Sequence, residues 1–148
     1  MMTSSETTDA KIYADEFLEI VRDGVPYVGQ LHLTVESWEA GHICLRLPYS
    51  DVIRRPGGTI CGPALMGLAD VTLYGVVMSL LGRTELAVTT DLTFHFLSKP
   101  EPSDVLAEGR ILKLGRRLAV GEVAITSEEN SRLVCQAVGS YAIPPTID

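Results

Sequence analysis

A 20-residue segment, Gly62–Leu81, carries almost no charged side chains and limits what this chain can fold into. Pro63 suits the first turn of a helix, and Gly82 suits its C-terminal end. Apolar residues cover nearly every side of the predicted helix, which is typical of a helix buried in a core. A sheet must therefore wrap around roughly five turns of helix.

The segment is not expected to span a membrane. Glycines and polar residues interrupt it, and these are Gly67, Asp70, Thr72, Gly75 and Ser79. A membrane span is usually an unbroken apolar stretch. We therefore expect a core helix and no association with a membrane.

The rest of the chain predicts one more helix and six strands. Residues 10–22 have apolar side chains at helical spacing. Apolar and polar residues alternate over 31–35 and 43–47, on either side of Ala40-Gly41, as in a hairpin. Four longer strand-like runs follow the long helix: 87–97, 105–114, 118–127 and 133–143. Short turns make neighbouring strands antiparallel, so the predicted class is α+β.

A length of 148 residues suits one domain. We predict a flexible polar N-terminus over residues 1–8 and a single domain over 9–148. The start of the chain lacks a basic region followed by an apolar one, so we expect a cytoplasmic protein. The three cysteines, Cys44, Cys61 and Cys135, form no C-x-x-C pair. Neither a disulfide framework nor a metal site is indicated, and no cofactor is expected.

Nineteen acidic residues against 12 basic ones give a net charge of −7, which disfavours a nucleic-acid partner. One sheet cannot cover a helix that is apolar all round. We therefore expect a homo-oligomer, and leave open whether it is a dimer or a tetramer.

Asp70 stands out because it lies within the apolar helix. Burying a carboxylate costs several kcal/mol unless it is paired or hydrogen-bonded. It is therefore either a structural aspartate or a functional one. Gly62, at the helix start, has a free backbone N–H in the positive end of the helix dipole. The two residues are about 12 Å apart along the helix axis, so one substrate meets both only across two chains or a folded-over loop.

The segment GTICGPALMGLADVTLYG resembles the central-helix signature of hot-dog-fold acyl-CoA thioesterases, particularly the PaaI-like branch. In that family a His-Gly-Gly turn precedes five or six mostly apolar residues and an acidic residue. Here Cys61-Gly62-Pro63 occupies the turn, and Asp70 the acidic position. The segments TTDLTFHFLSKP and QAVGSYAIP resemble the family's next strand and its closing strand.

The resemblance implies a hot-dog fold, a long central helix wrapped by a curved antiparallel sheet of about six strands. It implies hydrolysis of an acyl-CoA thioester to the free acid and CoA by a homodimer with shared active sites. The Gly62 N–H then holds the thioester oxygen. Asp70, from the other subunit, acts as base on water or as nucleophile. Thr89 matches a hydroxyl that orients the attacking water.

Other residues are predicted to border the substrate. Arg55 falls where the family often carries Asn or Gln, and Cys61 and Pro63 replace two residues of its turn. Tyr74, one turn after Asp70, either touches the acyl group or fills the core, and Tyr141 is expected only to pack. Basic residues cluster at Arg110, Lys113, Arg116 and Arg117, with Lys99 nearby in the chain. Of these we expect Lys99, Arg116 and Arg117 to contact the CoA phosphates.

Three other functions stay open. A hot-dog dehydratase or hydratase needs a histidine paired with an acid, and Cys61 stands where that histidine is expected. An acyl-CoA-binding protein without catalysis shares the fold, because fold does not determine function. A structural assembly partner has little use for a buried acid.

Overall fold

The structure, a computed structural model, describes residues 9–145, which form a six-stranded antiparallel sheet around the long helix. The elements are α1 (Ala14–Gly24), α2 (Pro26–Gly29), β1 (Thr34–Glu39), β2 (His42–Leu47), α3 (Gly62–Leu81), β3 (Val88–Phe96), β4 (Val105–Leu114), β5 (Leu118–Ser127) and β6 (Leu133–Ala142). The α+β class and the long central helix in a six-stranded sheet are confirmed. The predicted flexible N-terminus, residues 1–8, lies outside the described residues.

The first strand begins later than the alternation suggests. The predicted strand over 31–35 is wrong in its position, because β1 covers Thr34–Glu39. The short helix α2 ends at Gly29, and His32 has a φ of 54°, which turns the chain before the strand begins. A left-handed residue cannot continue a regular strand. Leu31 and Leu33 therefore belong to the bend between α2 and β1.

Strand β3 lies at one edge of the sheet, far from β4, which follows it in the chain. The strand order is β1-β2-β4-β5-β6-β3, so β3 pairs with β6. The tight turns predicted between β4 and β5 and between β5 and β6 do join antiparallel neighbours. The register of β3 on β6 places Thr89 opposite Tyr141, and it shifts between Thr89 and Asp91 as at a β-bulge.

Three glycines let α3 approach the sheet closely. Gly109, Gly121 and Gly139 lie on β4, β5 and β6. A Cβ at Gly121 would lie 2.7 Å from Leu73 Cδ2 and 3.0 Å from the carbonyl oxygen of Arg110. Gly109 and Gly139 are similarly close to side chains of α3. The distance between helix and sheet is therefore fixed by the absence of side chains at these positions.

One stripe of α3 is left partly uncovered in the single chain. Thirteen residues of the helix are buried, and they include every residue from Val71 to Ser79. The accessible positions in the first half are spaced by three or four residues: Gly62, Pro63, Met66, Gly67 and Asp70. Such spacing places them on one face of the helix.

Helix α3 is long and apolar enough to cross a membrane by length and composition, but 72% of its most apolar window is buried inside the fold. That burial is the pattern of a core helix. Helix α1 packs on a side of α3 that the sheet does not cover. The ring of Phe17, on α1, would lie 3.1 Å from a Cβ at Gly75. The N-terminal segment is held by a hydrogen bond from Trp38 Nε1 to the carbonyl of Ile12, at 2.8 Å.

The close approach of α3 to β5 predicts that Gly121→Ala lowers the free energy of unfolding by about 1–3 kcal/mol, because the backbone of Arg110 cannot move aside. Denaturant unfolding at fixed protein concentration measures this change. Gly24→Ala is the matched control. Nothing lies within 4 Å of a Cβ at Gly24, so the free energy of unfolding should not fall. Equal stability of Gly121→Ala and the parent would contradict the close packing.

Candidate active site

Asp70 is half-buried and lines a cavity of about 380 Å³ on the surface of the single chain. The cavity lies between α2, α3, the start of β3 and the end of β6. Its wall is mostly apolar, with contributions from Val25, Tyr27, Val28, Val71, Tyr74 and Val88. A carboxylate thus faces a space suited to an apolar group.

Two hydroxyl groups hold one oxygen of the Asp70 carboxylate. Thr89 Oγ1 donates to Oδ1 at 2.8 Å, and the Tyr141 hydroxyl donates to the same oxygen. The Tyr141 hydroxyl also lies 2.9 Å from the carbonyl oxygen of Asp70. Because Thr89 and Tyr141 are partners across β3 and β6, both donors come from a single cross-strand pair.

The other carboxylate oxygen, Oδ2, belongs to a residue that lines the cavity. Within residues 9–145 it makes no hydrogen bond, and no buried side-chain polar atom of these residues lacks a partner. Oδ2 is therefore accessible to a molecule in the cavity. No three His, Cys, Asp or Glu side chains in this part of the chain converge on a possible metal site.

Tyr141 packs in the core, as expected, and it also binds Asp70, which was not predicted from the sequence. Its side chain is 5% exposed, and its ring stacks on that of Tyr74 with centroids 6.0 Å apart. Burial raises the pKa of the Tyr141 phenol, and the negative charge of Asp70 raises it further. The phenol therefore stays protonated at neutral pH and remains a hydrogen-bond donor.

The chain itself contains a weak signal for this role. In β6, Ala137, Gly139 and Tyr141 alternate toward the helix, so the pattern places Tyr141 on the inner face. The missing information is the pairing of β6 with β3, which is not its neighbour in the chain.

Tyr74 both fills the core and lines the cavity. It is 9% exposed, and its hydroxyl donates to the carbonyl of Glu85 at 2.9 Å. Burial raises the pKa of this phenol, with a further contribution from the charge of Glu85. The ring thus supports Tyr141 from one side and borders the cavity on the other.

Gly62 begins α3 and lines a different cavity, of about 670 Å³. The loop before Gly62 is held by a hydrogen bond from the Cys61 N–H to the carbonyl of Ile53, at 2.8 Å. As the first residue of a helix, Gly62 has no intrahelical partner for its own N–H. The predicted substrate residues Arg55 and Lys99 line the same cavity.

The single chain does not bring Asp70 and Gly62 together. They lie in separate cavities of the same helix, in agreement with their spacing of about 12 Å. The structure does group Asp70 with Thr89 and Tyr74, and Gly62 with Arg55 and Lys99. Residues 9–145 of one chain therefore form no cavity that both groups line.

Cys61 and Pro63 face neither of these cavities. They line a smaller crevice of about 70 Å³ together with Tyr27 and Val52. Tyr27 also borders the Asp70 cavity, so the two spaces are neighbours.

The basic residues divide into paired and unpaired ones. Arg110 forms ion pairs with Glu108 and Glu122. Lys99, Arg116 and Arg117 are exposed, and none of them has an ion pair among residues 9–145.

The turn that carries Arg116 and Arg117 lies at the end of the sheet nearest the Asp70 cavity. Ile143 N–H donates to the carbonyl of Arg117 at 2.9 Å. The neighbouring residue, Ala142, pairs with Leu118 on one side and with Val88 on the other. Val88 lines the Asp70 cavity.

The chain is similar to known thioesterases. A family model for the thioesterase superfamily matches residues 57–134. A provisionally named thioesterase from Silicibacter sp. TM1040 is 36% identical, with a TM-score of 0.83, and the match covers 95% of this chain and 97% of that one. A provisionally named esterase from Saccharolobus solfataricus is 26% identical over 113 residues, which cover 76% of this chain and 79% of that protein.

A more distant structure shares the fold. A thioesterase-type protein from Streptococcus pneumoniae TIGR4, solved with coenzyme A, is 20% identical with a TM-score of 0.75, over 92% of this chain and all of that one. The family model spans more than half of this chain and includes both Gly62 and Asp70. This chain therefore belongs to the thioesterase superfamily.

Proposed function

We propose that the protein hydrolyses acyl-CoA thioesters in active sites shared between two copies of the chain. The observation that carries the proposal is the Asp70 carboxylate at the wall of an apolar cavity, with Oδ1 held by two hydroxyls and Oδ2 free of hydrogen bonds from residues 9–145. An apolar wall suits an acyl chain, and a carboxylate suits the activation of water.

The reaction needs one water and no cofactor. Water attacks the thioester carbon, and Asp70 takes its proton, so that negative charge develops on the carbonyl oxygen. The carbon–sulfur bond then breaks, and the sulfur leaves as the CoA thiolate. The proton held by Asp70 passes to this thiolate, which regenerates the carboxylate. A thiol has a pKa of about 8.5, so the thiolate leaves without a strong acid. The products are the free acid and CoA. Asp70 acting as nucleophile would use the same oxygen, Oδ2.

The Gly62 N–H of the second copy is the proposed donor to the developing oxyanion. It lies at the positive end of a 20-residue helix, which favours negative charge there. The loss of one such donor typically raises a barrier by about 3–4 kcal/mol.

The unpaired edge of β3 supports a two-fold arrangement. An antiparallel pair of β3 strands sets the Thr89 end of one against the Phe96 end of the other. Val88 and Thr89 line the Asp70 cavity, whereas Phe96 lines the Gly62 cavity. Such pairing would bring the Asp70 cavity of each copy to the Gly62 cavity of its partner.

Exposed apolar residues also support a partner at this edge. Val88 is 58% exposed and Phe96 53% exposed, and Met66 lies on the uncovered stripe of α3. An apolar edge strand left open is a site for pairing with another chain. A second copy that covers this edge would shield both the strand and the stripe.

The basic side chains that form no ion pair among residues 9–145 support CoA as the thiol part of the substrate. Arg116 and Arg117 lie at the end of the sheet nearest the Asp70 cavity, and Arg55 and Lys99 line the Gly62 cavity. We propose that Lys99, Arg116 and Arg117 contact the phosphates of CoA. The coenzyme A bound to the streptococcal relative is in line with this choice. Among residues 9–145, no histidine lines the Asp70 cavity or the Gly62 cavity, which disfavours a dehydratase.

Replacement of the carboxylate by an amide tests the role of Asp70. Asp70→Asn should reduce kcat by about 10²–10⁴-fold, the usual contribution of a general base, with little change in thermal unfolding. Release of free thiol from a panel of short-chain, medium-chain and aromatic acyl-CoAs gives the rates. The control is Asp15→Asn, an exposed carboxylate in the first turn of α1. Parent-like turnover of Asp70→Asn would remove the catalytic assignment.

Complementation tests the shared site. Gly62→Pro removes the backbone N–H and adds a ring, whose Cβ would meet only the ring of Phe96, at 3.9 Å. Cys61, with φ −72° and ψ 149°, already has the backbone that precedes a proline. Homodimers of Gly62→Pro and of Asp70→Asn should both be nearly inactive. A doubly tagged mixed dimer should regain about half of the parent kcat per dimer, because one of its two sites is intact. An inactive mixed dimer would place both groups in one chain.

Charge removal tests the phosphate contacts. Arg116→Ala and Arg117→Ala should each raise KM about tenfold, the loss of one charge-assisted hydrogen bond, and change kcat much less. Steady-state kinetics at two salt concentrations measure this effect. Arg83→Ala serves as the control, because Arg83 is paired with Glu16 and Glu85. An unchanged KM in both variants would exclude these residues from binding.

A further inference from the structure

Tyr141 is the second donor to the proposed catalytic carboxylate. Its hydroxyl and that of Thr89 meet on Asp70 Oδ1, and no hydrogen bond from the described residues reaches Oδ2. A carboxylate on a helix can rotate about its last side-chain bond, which changes the plane of the group and the direction of its free oxygen. Two donors on one oxygen oppose that rotation.

We propose that Tyr141 is a positioning residue, whose hydroxyl fixes the plane of the Asp70 carboxylate and so the direction in which its free oxygen points. The proposal rests on the thioester hydrolysis proposed above. Tyr141 does not need to touch the substrate, since it acts on the reaction through the orientation of Asp70.

The two donors are held rigidly with respect to each other. Thr89 and Tyr141 are direct partners in the β3–β6 pair, and Tyr141 also pairs with Ala119 on β5. The register shift directly after Thr89 turns the strand at this point, as a β-bulge near an active site does. The carboxylate is therefore oriented by the sheet, although it belongs to the helix.

A phenol is suited to this task in a buried position. Burial and the charge of Asp70 raise the pKa of Tyr141, whereas the nearby Thr89 hydroxyl acts in the opposite direction. The group therefore keeps its proton over the pH range in which an acyl-CoA assay is run. The stacked ring of Tyr74 and the low exposure of Tyr141 restrict movement of the ring.

Tyr141→Phe keeps the ring and removes only the hydroxyl. We expect kcat to fall about tenfold or more, because a slightly misplaced catalytic group costs much of the rate, with KM within about twofold of the parent. Tyr49→Phe is the matched control, since the Tyr49 hydroxyl also donates to a backbone carbonyl in a half-buried position. Its kcat should stay within about twofold of the parent.

A double-mutant cycle separates positioning from packing. Tyr141→Phe should change the residual kcat of Asp70→Asn by less than about twofold, because no carboxylate remains to be oriented. A packing role would produce the same loss in both backgrounds. Parent-like kcat of Tyr141→Phe, or an additive loss in the cycle, would overturn the proposal.

A second variant covers the case in which Tyr141→Phe does not fold. Site-specific 3,5-difluorotyrosine at position 141 keeps the ring and the hydroxyl but changes the donor strength. It should alter kcat more than about twofold in the parent and not in Asp70→Asn. An unchanged kcat in the parent would overturn the proposal. Failure of the parent chain to hydrolyse any acyl-CoA would instead overturn the proposed function.

Discussion

The need to cover helix α3 on every side determines the rest of this structure. The sheet covers one side, where Gly109, Gly121 and Gly139 allow close contact, and α1 covers another through Phe17. A stripe through Pro63, Met66 and Asp70 stays open in the single chain. The candidate site lies where the cover is incomplete, so the packing of the helix and the location of the site have a common cause.

The charge on Asp70 affects both the stability of the fold and the chemistry of the site, because Asp70 lies on the stripe of α3 that the single chain leaves open. An aspartate among apolar neighbours needs hydrogen bonds to offset its lost hydration. Thr89 and Tyr141 supply two of them to a single oxygen. The same contacts that stabilise the buried charge leave the second oxygen to the cavity. Stability and chemistry therefore depend on one cross-strand pair of hydroxyls.

The sequence predicts the local elements better than their arrangement. The bounds of α3, β4 and β5 match those expected. An apolar run between Pro63 and Gly82 marks the helix, and alternation bounded by short turns marks the two strands. The start of β1 is missed, since the left-handed backbone of His32 leaves no mark in a pattern of apolar residues. The edge position of β3 depends on contacts between strands distant in the chain, which periodicity does not encode.

The same distinction applies to the site. Asp70 is visible in the chain because a carboxylate in an apolar helix is unusual in itself. Gly62 is marked only by its place at the helix start, and its role follows from the resemblance to the family. Thr89 follows only from the resemblance to the family. Tyr141 looks like any inward-facing aromatic residue, and its bond to Asp70 appears only when β6 lies beside β3. A residue that acts by orienting a neighbouring side chain is hard to identify from one sequence, because its contact with that neighbour depends on the fold.

The walls of the Asp70 cavity differ in how freely they can be altered. One side consists of α3 and β6, whose separation is set by glycines that admit no larger residue. The opposite side is the four-residue helix α2, where Tyr27 is 65% exposed. Replacements at Tyr27 can reshape the pocket without moving the carboxylate. Divergence among relatives toward longer or bulkier acyl groups would therefore accumulate in α2, while the strand pair behind Asp70 stays constant.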